Sequence, residues 1–189
     1  MSLSLWCQVD GGVDRPTLIG KGLTTAWRMR EARGGRVQFA TGRTFLHTPE
    51  LSPGMHHIVV TADRVDGTWN MYVDGQPVDS APYLDFDSND RPLRIGGNPE
   101  SNGKEFVGII DDVAIWDRPL TEQEVLEIWD SGSGKAIGQL LPDPDGDSLP
   151  QYWEKAHGLS TVESNAQDDP DGDGSPNIDE FFNHQSTSC

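Results

Sequence analysis

From residue 3 to residue 118 the chain consists of short runs in which apolar and polar residues alternate, separated by Gly, Pro, Asn and Asp. A period of two puts successive side chains on opposite faces of an extended strand, and frequent turn residues keep each strand short. The pattern predicts an all-β fold of many antiparallel strands, near "LSLWCQV", "PTLIGKG", "AWRMREA", "RVQFATG", "HHIVVTADRV", "TWNMYVDGQPV", "LRIGG" and "FVGIIDDVAIWDR". In "TWNMYVDG" the alternation sets Trp69, Met71 and Val73 on one face, expected to be core. Asn70, Tyr72 and Asp74 lie on the other, and Gly75 suits a tight turn. One helix is expected before residue 140, in "TEQEVLEIW". There Thr121 can cap, Glu124 completes a capping box, and Val125, Ile128 and Trp129 can pack onto the sheets.

Charge narrows the partners. The 189 residues carry a formal net charge of -17, and residues 141 to 189 hold 11 of the 31 acids against Lys155 alone. A nucleic-acid or anionic-membrane surface would need clustered Lys and Arg, so cations and neutral ligands are the expected partners. Hydrophobic content of 34% suffices for one real core. Cys7 and Cys189 are too few for a disulfide framework, and no apolar run is long enough to span a bilayer. The chain opens directly into "MSLSLWCQV", which leads us to expect a fragment of a longer protein.

Taken together, "SLSLWCQVD", "MHHIVVTADRVDGTWNMYVDGQPV", "PLRIGGNPE" and "FVGIIDDVAIWDRPLTEQEV" resemble the laminin G-like branch of the concanavalin A-like lectin/glucanase fold. The run "GGNPE", Val107, Gly108, Asp112, Val113, Trp116, Asp117 and Leu120 is similar to pentraxins as well. The resemblance covers about residues 2 to 131. It implies a two-sheet antiparallel jelly-roll sandwich, with a further family strand missing before the one ending in Trp6 and an exposed edge near "GIIDDVAIWD". It also implies adhesion or carbohydrate binding rather than catalysis. The family's hydrolases need two carboxylates in an E-x-D-x-x-E arrangement on one strand, and no such run occurs. In "DDVAIWD", Asp111, Val113 and Ile115 are expected to alternate against Asp112, Ala114 and Trp116.

Three other features of this region invite a functional reading. His56 and His57 are adjacent, so they point to opposite faces and a structural role is expected. By the resemblance to pentraxins, Glu100, with Asn98 and Asn102 nearby, falls where that family has a calcium ligand, but "RPLRI" precedes Gly96 in place of the pentraxins' acidic run, so a solvated loop is expected rather than a site. Asp87 and Asp90 could assist only if their loop folds towards Glu100. Trp6 shares a strand face with Ser4 and Gln8. It is either a sugar-stacking platform or, as we expect, covered by a loop or the helix at 121.

Residues 131 to 142, "SGSGKAIGQLLP", are rich in Gly and Ser before apolar residues return, which sets domains at 1–134 and 143–189 with a linker at 135–142. The second domain holds an internal repeat, "DPDGDSLPQYWE" from 143 and "DPDGDGSPNIDE" from 169. Calcium takes six to eight oxygens, supplied in EF-hand loops from positions 1, 3, 5, 7, 9 and 12 with glycine at 6. The second repeat fits throughout, with Asp169, Asp171, Asp173, Ser175, Asn177 and Glu180 as ligands and Gly174 as the turn. The first offers Asp143, Asp145, Asp147, Leu149, Gln151 and Glu154 but has Ser148 in place of glycine, so it is expected to be the weaker site. Each loop runs into a short helix that begins with proline, Pro150 or Pro176. Proline at that loop position cannot donate the hydrogen bond of standard EF-hand pairing. The result resembles thrombospondin type 3-like calcium repeats, and dockerin modules less closely.

These readings predict a non-catalytic, secreted or cell-surface recognition module that binds a glycan or cell-surface glycoprotein, with calcium as its cofactor. The alternatives are a dockerin-like or adhesion scaffold piece with a protein partner for the C-terminal module, or an accessory module of a secreted glycan hydrolase or sulfatase.

Overall fold

The computed structural model describes residues 1–9, 15–23, 25–100, 102–135, 144–149 and 151–183, with backbone only at 152, 182 and 183. The chain divides into two compact units, Met1–Gly134 and Lys135–Cys189. Most of the expected linker, 136–142, lies outside the described residues, as does Asp143.

The first unit is a jelly-roll sandwich of two antiparallel five-stranded sheets. Its strands are β1 (Ser2–Gln8), β2 (Thr17–Gly20), β3 (Trp27–Ala32), β4 (Arg36–Thr41), β5 (Phe45–His47), β6 (His56–Asp63), β7 (Thr68–Val73), β8 (Gln76–Pro82), β9 (Arg94–Ile95) and β10 (Ile109–Trp116). One sheet has the order β10-β1-β6-β7-β8 and the other β5-β4-β3-β2-β9. The short β5 is an element that the sequence reading passed over. The core lies between the sheets, where alternate residues meet: Leu3, Leu5 and Cys7 from β1, Met29 from β3, Phe39 from β4 and Trp69 and Met71 from β7 are all fully buried. Each large apolar side chain here contributes roughly 1.5–3 kcal/mol relative to exposure. Phe39 and Trp69 meet across the core with ring centres 5.1 Å apart.

The turn from β7 to β8 has Asp74 at φ 50 and Gly75 at φ 77, the paired left-handed conformation that tight hairpins favour. Helix α1 (Glu122–Trp129) packs on this turn. A Cβ on Gly75 would lie 2.9 Å from both Leu126 and Trp129. The capping box at Thr121 and Glu124 is formed, and Val125 and Ile128 are buried. Tyr72, expected on a polar outer face, is only 4% exposed, and burial, then the charge of Glu122 on α1, raise its pKa. The face opposite the core is thus partly a second packing surface.

β10 is the edge of its sheet, paired to β1 alone, and Ile109 and Ile115 on it are about half exposed. A bulge corrects the expected alternation on this strand. Asp111 is opposite Trp6 while Ala114 is opposite Ser4, so one extra residue is accommodated, with Asp112 at φ 46. Asp111 therefore shares its face with Ala114 and Trp116, because the extra residue shifts the phase by one.

In the second unit α2 (Gln151–Ala156) and α3 (Asn177–Asn183) follow the two acidic loops. Trp153 on α2 meets Phe181 on α3 edge to face at 6.0 Å. Among the described residues no helix is long and apolar enough to cross a membrane.

Candidate functional site

The histidine pair is structural in this geometry. His56 Nδ1 lies 2.7 Å from Asp74 Oδ2, and the backbone N–H of His57 donates to Asp74 Oδ1 at 2.9 Å. His57 turns the other way, is fully buried, and holds its Nε2 2.8 Å from Ser4 Oγ. Desolvation, opposed only in part by Asp74, pushes its pKa down to about 4. Trp6 stacks on His57 with ring centres 5.1 Å apart, and Gly134 sits against the indole, where a Cβ would be 3.4 Å away. Trp6 is thus half-buried, and the segment after α1 covers part of it.

At the sandwich rim, Asn98 is 1% exposed and committed to the backbone, donating to Gly22 O and accepting from Glu100 N–H. Glu100 accepts the Leu23 N–H at 2.6 Å and lies 3.5 Å from the Arg91 guanidinium. Together with Leu23, Arg91 and Pro99, Glu100 and Asn102 line an open hollow of about 420 Å³. The loop holding Asp87 and Asp90 does reach this rim, with Ala26 N–H donating to Asp87 O and Asn89 bonding to Lys21 O. What it brings to Glu100 is Arg91, whose positive charge competes with a cation there.

The acidic loops repeat in backbone as well as in sequence. Gly146 and Gly172 have φ 73 and 75, and two residues on Ser148 and Gly174 have φ 78 and 96. In each loop the central aspartate folds back on its own turn. Asp147 Oδ1 accepts Leu149 N–H at 2.9 Å, and Asp173 Oδ1 accepts Ser175 N–H at 2.8 Å. One carboxylate oxygen from each of Asp145, Asp147 and Glu154 falls within 4.8 Å of the others, and the same holds for Asp169, Asp171 and Asp173. The first trio already includes the glutamate from position 12, which is fully buried, whereas the three aspartates of the second are exposed. Glu180 is 4% exposed, and its pKa is raised by desolvation and by the neighbouring Asp171, Asp173 and Asp169.

Not every expected ligand faces its trio freely. Gln151 accepts from Lys155 Nζ at 2.9 Å, and the side-chain amide of Asn177 donates to Asn165 O at 2.8 Å. Leu149 is fully buried, and Ser175 is half-buried.

The segment 165–168 was invisible to motif reading, yet it ties the loops together. Asp147 Oδ2 accepts the N–H groups of Asn165 and Ala166 at 2.7 and 2.9 Å, and the Asn165 side chain donates to Glu154 Oε1 at 3.1 Å. On the other side, Asn177 N–H donates to Asp168 O and Ile178 N–H to Ala166 O. Both loops are hydrogen-bonded to this strap.

Comparison with known proteins fits the first unit. A rat protein, sushi, von Willebrand factor type A, EGF and pentraxin domain-containing protein 1, is 28% identical over 123 residues, 59% of this chain. The mouse protein of the same name is 28% identical over 102 residues, 48% of this chain. The chain spans only 4% and 3% of those two relatives. Among solved structures, a proposed carbohydrate-binding protein from Bacteroides ovatus has a TM-score of 0.56 at 21% identity, covering 67% of this chain and 39% of that one. The Ruminococcus gnavus sialidase module CBM40 has a TM-score of 0.52 at 13% identity, covering 67% of this chain and 80% of that one. These likenesses show the fold. A laminin G-type family model, described as the concanavalin A-like lectin/glucanases superfamily, matches residues 1–126, and the chain belongs to that family.

Proposed function

We propose that this chain is a non-catalytic extracellular recognition module, in which the sandwich binds a glycan or glycoprotein and calcium stabilises the C-terminal pair of loops. The recognition reading is carried by the sandwich itself, a fold it has in common with solved proteins named for carbohydrate binding. The arrangement on β10 is in keeping with binding rather than hydrolysis. Asp111 shares its face with Ile109, Ala114 and Trp116, and the E-x-D-x-x-E run of the family's hydrolases does not occur in the sequence.

Calcium is supported by the ligand spacing and by the duplicated turn geometry at Gly146 and Gly172 and at Ser148 and Gly174. Two clusters of carboxylates repel one another until a cation neutralises them, so metal binding and folding of this unit are coupled. Sites of this extracellular class bind at roughly 10⁻⁴ to 10⁻³ M, which suits a calcium-rich medium. An acidic spacer holding the sandwich at a distance from a parent protein is the role this unit fits.

A glycan array probed with the full chain tests the recognition reading, and calcium calorimetry on the same chain tests the metal. Binding of a glycan class together with two calcium sites is the expected outcome. If no glycan is bound and a protein partner is captured through the acidic loops instead, the chain is an adhesion or scaffold piece. Absence of calcium heat from the full chain removes the metal from the reading.

A further inference from the structure

One side of the sandwich is closed by its own strands, and the opposite side is closed only in part. β5 and β8, the outermost strands of the two sheets on one side, meet where His47 N–H donates to Asp79 Oδ2 at 2.8 Å. β9 and β10 are therefore the edges of the opposite side. Where β2 begins, the chain between them fills the gap: Thr17 N–H donates to Lys104 O at 2.9 Å, and Phe106 packs on the core. At the other end of β2, β9 consists of Arg94 and Ile95 alone. Met1 and Phe86 line one hollow and Asp87 O accepts Ala26 N–H, which puts the starts of β1 and β3 at this same end. Here Ile95 is opposite Ile19 and Ile115 is opposite Leu3, and both partners are fully buried core. Directly paired residues share a face, so the two isoleucines stand at inward positions, yet Ile95 is 55% and Ile115 45% exposed.

The backbone of β10 sets what fits this opening. Among the described residues its one strand partner is β1, so its outer side presents N–H and C=O groups in the manner of any sheet edge. Beyond the bulge the ladder is regular, with Ala114, Ile115 and Trp116 opposite Ser4, Leu3 and Ser2. An extended segment satisfies those groups and sends alternate side chains inward. Packed sheets lie about 10 Å apart, a space that one row of apolar side chains fills. Charge then selects the segment. Asp111, Asp112 and Asp117 are exposed on β10 or just after it, and none of them belongs to the ion pairs among the described residues. Pairing two copies of β10 about a two-fold axis sets these acids near one another, between chains of net charge -17 each. A strand bearing Lys or Arg beside Asp111 meets complementary charge instead.

We propose that β10 is a docking edge for an extended segment of another protein, apolar on one face and basic on the other. The segment adds a strand along residues 113–116, sets apolar side chains between Ile95 and Ile115, and sets Lys or Arg beside Asp111. The acids make the edge selective, since they hold off a second copy of this chain and admit a cationic strand. This surface is separate from the glycan reading and does not rest on it.

The test is fluorescence anisotropy on the full chain, at about 0.15 M salt, with three labelled ten-residue peptides. One alternates Val and Lys, one alternates Val and Glu, and the third is the Val-Lys peptide with its two central residues replaced by proline, which cannot complete a ladder. Expected is binding of the Val-Lys peptide at least tenfold tighter than of the other two, with hydrogen exchange slowed at amides 109–116. Ile115→Lys is expected to weaken it at least tenfold, and Asp111→Lys to turn the preference towards the Val-Glu peptide. Should either variant fail to fold by circular dichroism, the proline peptide and hydrogen exchange decide the matter on the unaltered chain. Equal binding of the Val-Lys and proline peptides, or binding without slowed exchange at 109–116, overturns strand addition. Equal binding of the Val-Lys and Val-Glu peptides overturns the basic assignment. Binding of no peptide overturns the proposal, and dimerisation of the chain in sedimentation gives the edge to a second copy instead.

Discussion

Asp147 in the first acidic loop accepts the backbone N–H of Asn165 at 2.7 Å, eighteen residues along the chain, on the strap that also carries hydrogen bonds from the second loop. The two loops therefore fold as one object. Asp147→Ala removes the anchor of the strap, and hydrogen bonds to a charged group contribute roughly 1.5–3 kcal/mol. The expected outcome is weaker calcium binding at both loops. Asp173→Ala, whose hydrogen bond to Ser175 is local, is expected to weaken the second alone. Calorimetric titration of both variants checks this, and equal effects would contradict it.

Ser148 stands at φ 78 where the second loop has Gly174 at φ 96. A residue with a Cβ in the left-handed region costs about 1–2 kcal/mol. Ser148→Gly is expected to tighten calcium binding at the first loop about fivefold or more. No change, or a loss, would mean that the serine hydroxyl does something the backbone argument omits.

His57 makes the sandwich acid-sensitive. Its folded pKa, about 4, lies below the ordinary value of 6.5, so between these pH values the unfolded chain binds the extra proton. Stability attributable to His57 is complete above pH 6.5 and is lost as pH falls towards 4, a change of about 3 kcal/mol. Thermal melts across this window should show the decline, and His57→Gln should flatten it. An unchanged slope in the variant would place the acid sensitivity elsewhere.

Gly75 joins β7 to β8 and lies under α1. Its φ of 77 and the 2.9 Å approach of Leu126 and Trp129 both resist a Cβ. Gly75→Ala is expected to destabilise the first unit by about 2 kcal/mol or more. Denaturant melts of the full chain read at tryptophan measure it, and a neutral result would show that α1 can lift from the turn without cost.

The sequence by itself determined the features that depend on near neighbours. Alternation placed Leu5, Cys7, Trp69 and Met71 in the core, a three-residue spacing formed the cap at Thr121, and ligand spacing brought Asp145, Asp147 and Glu154 together, because each is set by local backbone geometry. Tertiary structure decided what depends on register between distant segments. It set the bulge that rotates Asp111 onto another face, the placing of Gly134 against Trp6, and the strap at Asn165. It also left Ile95 and Ile115 exposed at inward positions on two edge strands. Alternation assigns a residue its face, whereas only the assembled sheets decide whether anything stands opposite it.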